Sequence, residues 1–170
     1  MSTSIEKDAS KNRQSGQGER YISFSLGQEE YAIPLLVVKE VIAIPDITPI
    51  PFTPSHFLGI MNLRGQVISV IDFRTKLGIK PSPGAETAII ICDLSPLTLG
   101  VVVDSINSVV APLDSELSSK PDIQSNHNTD YITGVFKRDK KLVLLLEIAR
   151  ALSVEDLQAM SGQVKQRQAA

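Results

Sequence analysis

An internal repeat limits the possible folds of this chain more than any other feature of its sequence. The segment 59–78, GIMNLRGQVISVIDFRTKLG, aligns without gaps with 134–153, GVFKRDKKLVLLLEIARALS. Apolar residues match apolar residues along both segments, and Asp72 matches Glu147. Upstream, 31–42 aligns with 99–110. Such repeats usually come from duplicated units, although any two pairs of buried strands share part of this pattern.

Each repeat reads as short strands. In the first half, YISFSL at 21–26 alternates polar and apolar residues with a period of two, and the turn GQEE and the segment YAIP complete a hairpin. VVKEVIAI predicts another strand, and the proline-rich PDITPIPFTP predicts an extended surface connection. Two strands then flank the turn NLRG, and FRTKLG predicts a helical turn that stops at Gly78.

A unit of this size, about 60–65 residues, is marginally stable alone. Closing its sheet into a barrel removes exposed edges, and packing two barrels together buries more surface. We therefore expect a mainly all-β protein of two small barrels with a shared apolar contact. The runs VISVI, AIII and LVLLL are apolar on both faces, which suits strands between a barrel interior and that contact.

The predicted domain organisation has a folded region at 21–160 between two polar tails. Residues 1–20 and 161–170 bury too little to offset the cost of ordering, so both are predicted to be disordered. We expect a first barrel at about 21–82 and a second at about 83–152, and leave open a crossing of the termini between them. SVEDLQAM predicts a C-terminal helix with Ser153 as its N-cap, packed by Val154, Leu157 and Met160.

Composition excludes several function classes. With 17 Lys and Arg against 19 Asp and Glu, the chain has no basic excess for nucleic-acid binding. Its longest apolar runs are far shorter than the roughly twenty residues of a membrane span. The polar N-terminus is no secretory signal, and one cysteine forms no internal disulfide. We expect a cytoplasmic protein without direct membrane insertion.

No catalytic constellation, metal site or cofactor site emerges from the sequence. His56 and His127 are interpreted as solvated loop histidines, and Cys92 as a packing residue of a buried strand. Asp72 and Glu147 stand at matching points of the repeat. They are either a functional carboxylate pair or caps of the helical turns that follow them, and the duplication favours the caps. The chain is therefore not expected to be an enzyme.

The turn NLRG places a long charged side chain, Arg64, within the most apolar region of the sequence. Asn62 and Gly65 suit the ends of a type I turn, with Leu63 and Arg64 at its corner. Arg64 is then either a solvated turn residue or a guanidinium held at a fixed point for a partner. The residues alone do not decide between these two.

Four segments together resemble the CheW family of chemotaxis coupling proteins over about 21–152. They are YISFSLGQEEYAIPLLVVKEVI, TPIPFTPSHFLGIMNLRGQVISVIDFRTKLG, LGVVVDSINSVV and DYITGVFKRDKKLVLLLEIARAL. The resemblance implies two intertwined five-stranded SH3-like barrels and no catalysis. It also implies an adaptor that binds the cytoplasmic tip of methyl-accepting chemoreceptors and the regulatory domain of the histidine kinase CheA. CheW-like adaptors also serve kinase pathways for surface motility, which is the alternative.

Carried over residue by residue, the resemblance implies a receptor-binding surface at Val38, Glu40, Gly59 and Arg64, with Asn62 shaping the turn. Gly59 would leave room for a receptor helix, and an apolar groove floor would come from the contact between the barrels. Kinase contacts are expected in the barrel-end loops of both halves. The chain departs from the family pattern at Pro34 and in the polar loop 111–130.

Overall fold

The structure, a computed structural model, describes residues 18–80, 86–119 and 130–160. The predictions for His127, for the C-terminal tail and for residues 1–17 lie outside these ranges. Within them the chain is mainly β, as predicted. The strands are β1 Tyr21–Leu26, β2 Glu29–Pro34, β3 Val38–Ala43, β4 Phe57–Leu63, β5 Gln66–Asp72, β6 Ala88–Asp93, β7 Thr98–Val103, β8 Ser105–Val110, β9 Leu117–Ser119, β10 Ile132–Arg138 and β11 Lys141–Leu146. The helices are α1 Phe73–Lys76, α2 Ile148–Ala151 and α3 at 154–160, with 3-10 turns at Leu35–Val37 and Asp114–Glu116.

The strands form two mixed sheets. The six-stranded sheet has the order β8-β1-β2-β11-β10-β9, and the five-stranded sheet has the order β3-β6-β7-β5-β4. The pairs β2–β11 and β5–β7 are parallel, and the other pairs are antiparallel. Among the described residues, no helix is both long and apolar enough to cross a membrane.

The predicted repeat is present, and its two copies exchange strands. The hairpin β1–β2 pairs with β8 and β11 of the second half, whereas β3 pairs with β6, and β5 of the hairpin β4–β5 pairs with β7. Five strands of each sheet follow the same order, and even irregularities recur: the register shifts between residues 57 and 59 and again between 132 and 134. Strand pairing therefore crosses the expected barrel boundary near residue 82 in both sheets.

The core consists of three apolar clusters. The largest lies between the sheets and takes Phe24 and Ile33 from one sheet and Ile71 and Ile90 from the other. A second cluster packs on the other face of the five-stranded sheet, and a third on the other face of the six-stranded sheet. Neighbouring residues of one strand enter different clusters, which is why these strands are apolar on both faces.

The terminal helix α3 begins at the predicted N-cap. Ser153 Oγ accepts a hydrogen bond from the Asp156 N–H at 3.1 Å, and Asp156 Oδ2 accepts one from the Ser153 N–H at 2.9 Å. Met160 is buried as predicted, but the expected packing of Val154 and Leu157 is wrong, because both are exposed. A buried carboxylate, Asp156, takes their place in holding the helix against the core.

The predicted caps at the repeat's matching carboxylates are half right. Asp72 Oδ1 accepts from the Arg74 N–H at 3.0 Å and caps α1. Glu147 precedes α2 but its side chain makes no capping hydrogen bond. It instead pairs with Arg150 Nε at 2.9 Å, because this part of α2 faces solvent and the arginine is within reach.

Candidate functional site

Two of the expected receptor-binding residues, Glu40 and Arg64, form an ion pair at the surface. Arg64 Nη2 donates to Glu40 Oε1 at 2.5 Å, and Nη1 donates to the same oxygen at 3.1 Å. Arg64 remains 65% exposed and Glu40 32% exposed. The guanidinium is thus neither free in solvent nor folded into the core. It is held at a fixed point with donors left for a partner.

The pair forms because the five-stranded sheet curls. Glu40 lies on β3 and Arg64 follows β4, and these strands are the opposite edges of the sheet. Beyond β3 the chain crosses to the other edge, where Thr48 and Ile60 exchange backbone hydrogen bonds of 2.8 and 2.9 Å. The two edges therefore meet, and the ion pair spans the place where they approach.

The turn that carries Arg64 differs from the predicted type I turn. The strands end at Leu63 and restart at Gln66, so Arg64 and Gly65 are the central residues, with φ of 50° and 83°. Two-residue hairpin loops favour positive φ at both central positions, because this matches the twist of the strands. Asn62 Oδ1 accepts from the Gly65 N–H at 2.8 Å, which gives Asn62 the turn-shaping role that the resemblance implies.

Gly59 is buried, and it leaves room for another segment of the chain's own backbone. Its φ is 144°, and a Cβ there would lie 2.0 Å from the Thr48 carbonyl oxygen. The absence of a side chain thus lets the segment around Thr48 cross β4. The expectation that Gly59 leaves room for a receptor helix is not what its surroundings show, since that space is already filled.

Val38 and Glu40 both lie on β3, but a register shift separates them at Lys39. Val38 packs against the large central cluster, whereas Glu40 reaches Arg64. The shift also brings Lys39 to the groove beside Glu40. Sequence reasoning missed Lys39, because strict alternation along a strand places it on the opposite face.

A shallow groove of about 350 Å³ lies beside the ion pair, which we call the first groove. Its apolar floor contains Leu63, Ile68 and Ile91. These side chains belong to the cluster on the outer face of the five-stranded sheet. The resemblance had instead implied a groove floor from the contact between the barrels. The first groove thus combines an apolar floor with a charged lip.

A buried arginine, Arg74, forms a charged network that sequence reasoning missed. Its Nε donates to Asp72 Oδ1 at 2.9 Å, and Nη1 donates to Asp104 Oδ1 at 2.9 Å. Asp104 Oδ2 in turn accepts from the Gly27 N–H at 2.7 Å. Hydrogen bonds to both carboxylates outweigh burial and raise the pKa of Arg74. The network links the end of β5 to the β1–β2 turn of the other sheet.

His56 is not the solvated loop residue that was expected. Its side chain is 15% exposed and its Nε2 contacts Asp156 Oδ1. Asp156 Oδ2 also accepts from Lys76 Nζ at 2.8 Å. Burial raises the pKa of Asp156, but hydrogen bonds from Lys76, Ser153 and His56 outweigh it and lower the pKa to about 2. These contacts place His56 in the attachment of α3, which lies a hundred residues away in sequence.

Cys92 occupies the packing position that was predicted for it. The side chain is fully buried in the central cluster, and burial raises the pKa of its thiol to about 12. Its Sγ contacts the Ile90 carbonyl oxygen at 3.8 Å. Such a thiol is a poor nucleophile at neutral pH.

Comparisons with known proteins agree with this architecture. The family model of the CheW-like domain matches residues 20–156. A probable chemotaxis protein CheW of Rhizobium etli is 30% identical over 145 residues, which cover 84% of this chain and 94% of that protein. The solved structure of the scaffolding protein TtCheW from Thermoanaerobacter tengcongensis superposes with a TM-score of 0.74 at 29% identity, covering 82% of this chain and 95% of that chain.

A weaker match is to a protein whose name does not refer to chemotaxis. Protein PilI of Pseudomonas aeruginosa is 25% identical over 121 residues, which cover 70% of this chain and 67% of that protein. The family model nevertheless covers most of the chain, and the region that it matches contains the two sheets with exchanged strands. The chain therefore belongs to the CheW-like family.

Proposed function

We propose that this chain is a non-enzymatic adaptor that couples chemoreceptors to the histidine kinase CheA in cytoplasmic signalling arrays at the membrane. Membership of the CheW-like family supports the adaptor role. The observation that carries the receptor contact is the exposed guanidinium of Arg64, fixed by Glu40 at the lip of an apolar groove.

The first groove suits an amphipathic helix of a receptor tip. Such a helix places its apolar face on the floor and its polar edge at the lip. Glu40 engages the Nη1 and Nη2 groups of Arg64, and further N–H donors remain for a partner's carbonyls or carboxylates. Because Glu40 already orients the side chain, binding loses less conformational freedom than it would with a free arginine.

The kinase contact is proposed at the ends of the two sheets, where the hairpin loops lie. An adaptor within an array needs only modest affinity for each partner, because several contacts act together. A micromolar contact corresponds to about −8 kcal/mol. Receptor and kinase would then occupy separate surfaces of the same adaptor, each held by a modest contact.

Pull-down with a receptor cytoplasmic fragment tests the receptor contact. Arg64→Glu should weaken binding by about tenfold or more while the protein stays folded, because an exposed ion pair contributes at most about 1 kcal/mol to stability. Arg150→Glu is the matched control, since Arg150 is similarly exposed and pairs with an acid elsewhere. Unchanged receptor binding by Arg64→Glu would remove Arg64 from the site.

The exchange Glu40→Arg with Arg64→Glu separates two roles of the arginine. If Arg64 only positions the edges of the sheet through its ion pair, the double variant restores binding. If the guanidinium touches the receptor from its own position, the double variant stays defective. The proposal expects the second result.

Size-exclusion chromatography with the regulatory domain of CheA tests the kinase contact. We expect the two proteins to migrate together at tens of micromolar, roughly the range of a weak array contact. Separate migration at that concentration would contradict coupling to this kinase.

The alternative is a CheW-like adaptor of another kinase pathway, such as one for surface motility. The match to PilI supports it, but at lower identity and over less of the chain than the match to the chemotaxis protein. Binding to a chemoreceptor fragment and to CheA would favour chemotaxis.

A further inference from the structure

The repeat places a second groove at the equivalent position of the six-stranded sheet. This second groove has about 380 Å³ and lies between β8 and the β10–β11 hairpin. It is the counterpart of the first groove, because Ser108 aligns with Glu40 and Asp139 aligns with Arg64. Its lining residues are Glu30, Asn107, Ser108, Arg138, Asp139 and Lys141.

An arginine is held at the lip of the second groove as well, but by different partners. Arg138 Nη1 donates to Ser108 Oγ at 2.7 Å and lies 3.9 Å from Glu30 Oε1. It stands at the end of β10, one position before the residue that aligns with Arg64. The groove is thus present in both sheets, but the residues that hold the arginine at its lip differ.

The hairpin tip at 137–141, KRDKK, concentrates positive charge and is called the basic tip here. It has four cations and one carboxylate, and all five residues are exposed. Lys137, Lys140 and Lys141 form no ion pair with any residue in the described part of the chain. The chain as a whole has a net charge of −2, so this charge is local.

The backbone of the basic tip favours glycine at its second central position, yet Lys140 occupies it. Asp139 and Lys140 have φ of 47° and 69°, the left-handed region. The first hairpin has a glycine, Gly65, at the second of these positions. A lysine kept where the backbone favours glycine points to a role other than forming the turn.

We propose that the basic tip and the second groove form a docking surface for an acidic protein segment. Arg138 is fixed by Ser108 and Glu30, so it offers a pre-oriented guanidinium to a carboxylate. Lys140 and Lys141 add exposed positive charges beside it, which speed encounter with an acidic partner. Leu142, exposed beside them, offers an apolar contact to the same segment.

The local charge pattern favours a protein segment over an anionic lipid surface. Glu29, Glu30 and Asp139 lie among the cations around the hairpin, and a continuous anionic surface would meet these carboxylates too. A peptide can place its carboxylates on the cations and its backbone N–H groups on the acids. Stable membrane attachment also takes a second signal beyond a few basic residues.

The test compares binding of a fluorescent Glu-rich peptide and of phosphatidylserine vesicles to the intact protein. Lys140→Glu with Lys141→Glu reverses two charges of the basic tip. Arg20→Glu with Lys80→Glu is the matched control, because both residues are exposed and the change in net charge is the same. Circular dichroism checks folding, and the milder Lys140→Ser with Lys141→Ser serves if the charge reversal perturbs the hairpin.

We expect the peptide to bind more weakly as ionic strength rises, and the basic-tip variant to lose about tenfold or more in affinity. The control should stay within about twofold. Equal losses in both variants would show diffuse attraction and overturn the proposal, as would the absence of peptide binding. Vesicle binding that depends on the basic tip, without peptide binding, would assign the surface to lipid instead. Receptor pull-down should be unaffected in the basic-tip variant, which separates this surface from the first groove.

Discussion

Arg74 and Asp104 join the two sheets: a guanidinium of α1, just after β5, lies 2.9 Å from a carboxylate that also binds the β1–β2 turn of the other sheet. Asp72 completes the network by accepting two further hydrogen bonds from the same guanidinium. Because the three side chains are largely buried, removal of one would leave a buried charge without its partner, which is costly.

Arg74→Ala should lower the free energy of unfolding by about 3–5 kcal/mol, because two largely buried carboxylates lose their cation. Urea denaturation measures this loss. Arg150→Ala is the control, since its exposed pair with Glu147 should contribute under about 1 kcal/mol. Similar losses in the two variants would contradict the buried network.

Gly59→Ala should destabilise the protein by at least about 3 kcal/mol, because the added Cβ meets the Thr48 carbonyl and φ is positive. Gly65→Ala is the control: its φ is also positive, but nothing lies within 4 Å of the added Cβ. It should cost about 1 kcal/mol. Thermal unfolding of both variants measures the two losses of stability. Equal losses would mean that the backbone around Thr48 does not pack closely against Gly59.

Asp156 should make stability depend on acid pH. Its pKa falls from 3.8 in the unfolded chain to about 2 in the folded protein, so its contribution is present above about pH 4. The contribution, about 2 kcal/mol, should disappear as pH falls through about 2. The difference in unfolding free energy between the wild type and Asp156→Asn should therefore shrink from about pH 5 to about pH 2, an interval that includes both pKa values.

Glu155→Gln provides the comparison for Asp156, because the neighbouring acid is exposed. Its effect on stability should be small and nearly constant over the same pH range. A difference for Asp156→Asn that does not change with pH would show that its carboxylate is not held by Lys76 and His56.

Cys92 should react slowly with a thiol reagent in the folded protein, because the side chain is buried and its thiol pKa is about 12. The same chain in urea should react fast and supplies the control. Fast labelling of the folded protein would place Cys92 outside the central cluster.

Local patterns predicted the hairpins and the repeat, since period-two alternation and turn residues lie close in sequence. The exchange of strands was not predictable in this way. Because both halves contain equivalent strands, a strand finds the same neighbours whether its partner belongs to its own half or to the other half. Sequence periodicity is identical in the two cases.

Contacts over long sequence distances account for the errors at Arg74 and His56. In FRTK an arginine looks solvent-exposed, and only the fold brings Asp104 to Arg74. His56 likewise meets Asp156 from a distant loop. The approach of Glu40 to Arg64 was implied by the family resemblance alone, because no local pattern shows that opposite edges of a curled sheet meet.

Exchanged strands also tie the two halves of the chain to one another. Each sheet draws on both halves, so a fragment that contains only one repeat lacks strands of both sheets as they stand in this fold. A cut between the halves would therefore leave two fragments joined through strand pairing, without a covalent link. At the matching hairpin tips the halves differ in charge, with Arg64 in one and Asp139 in the other.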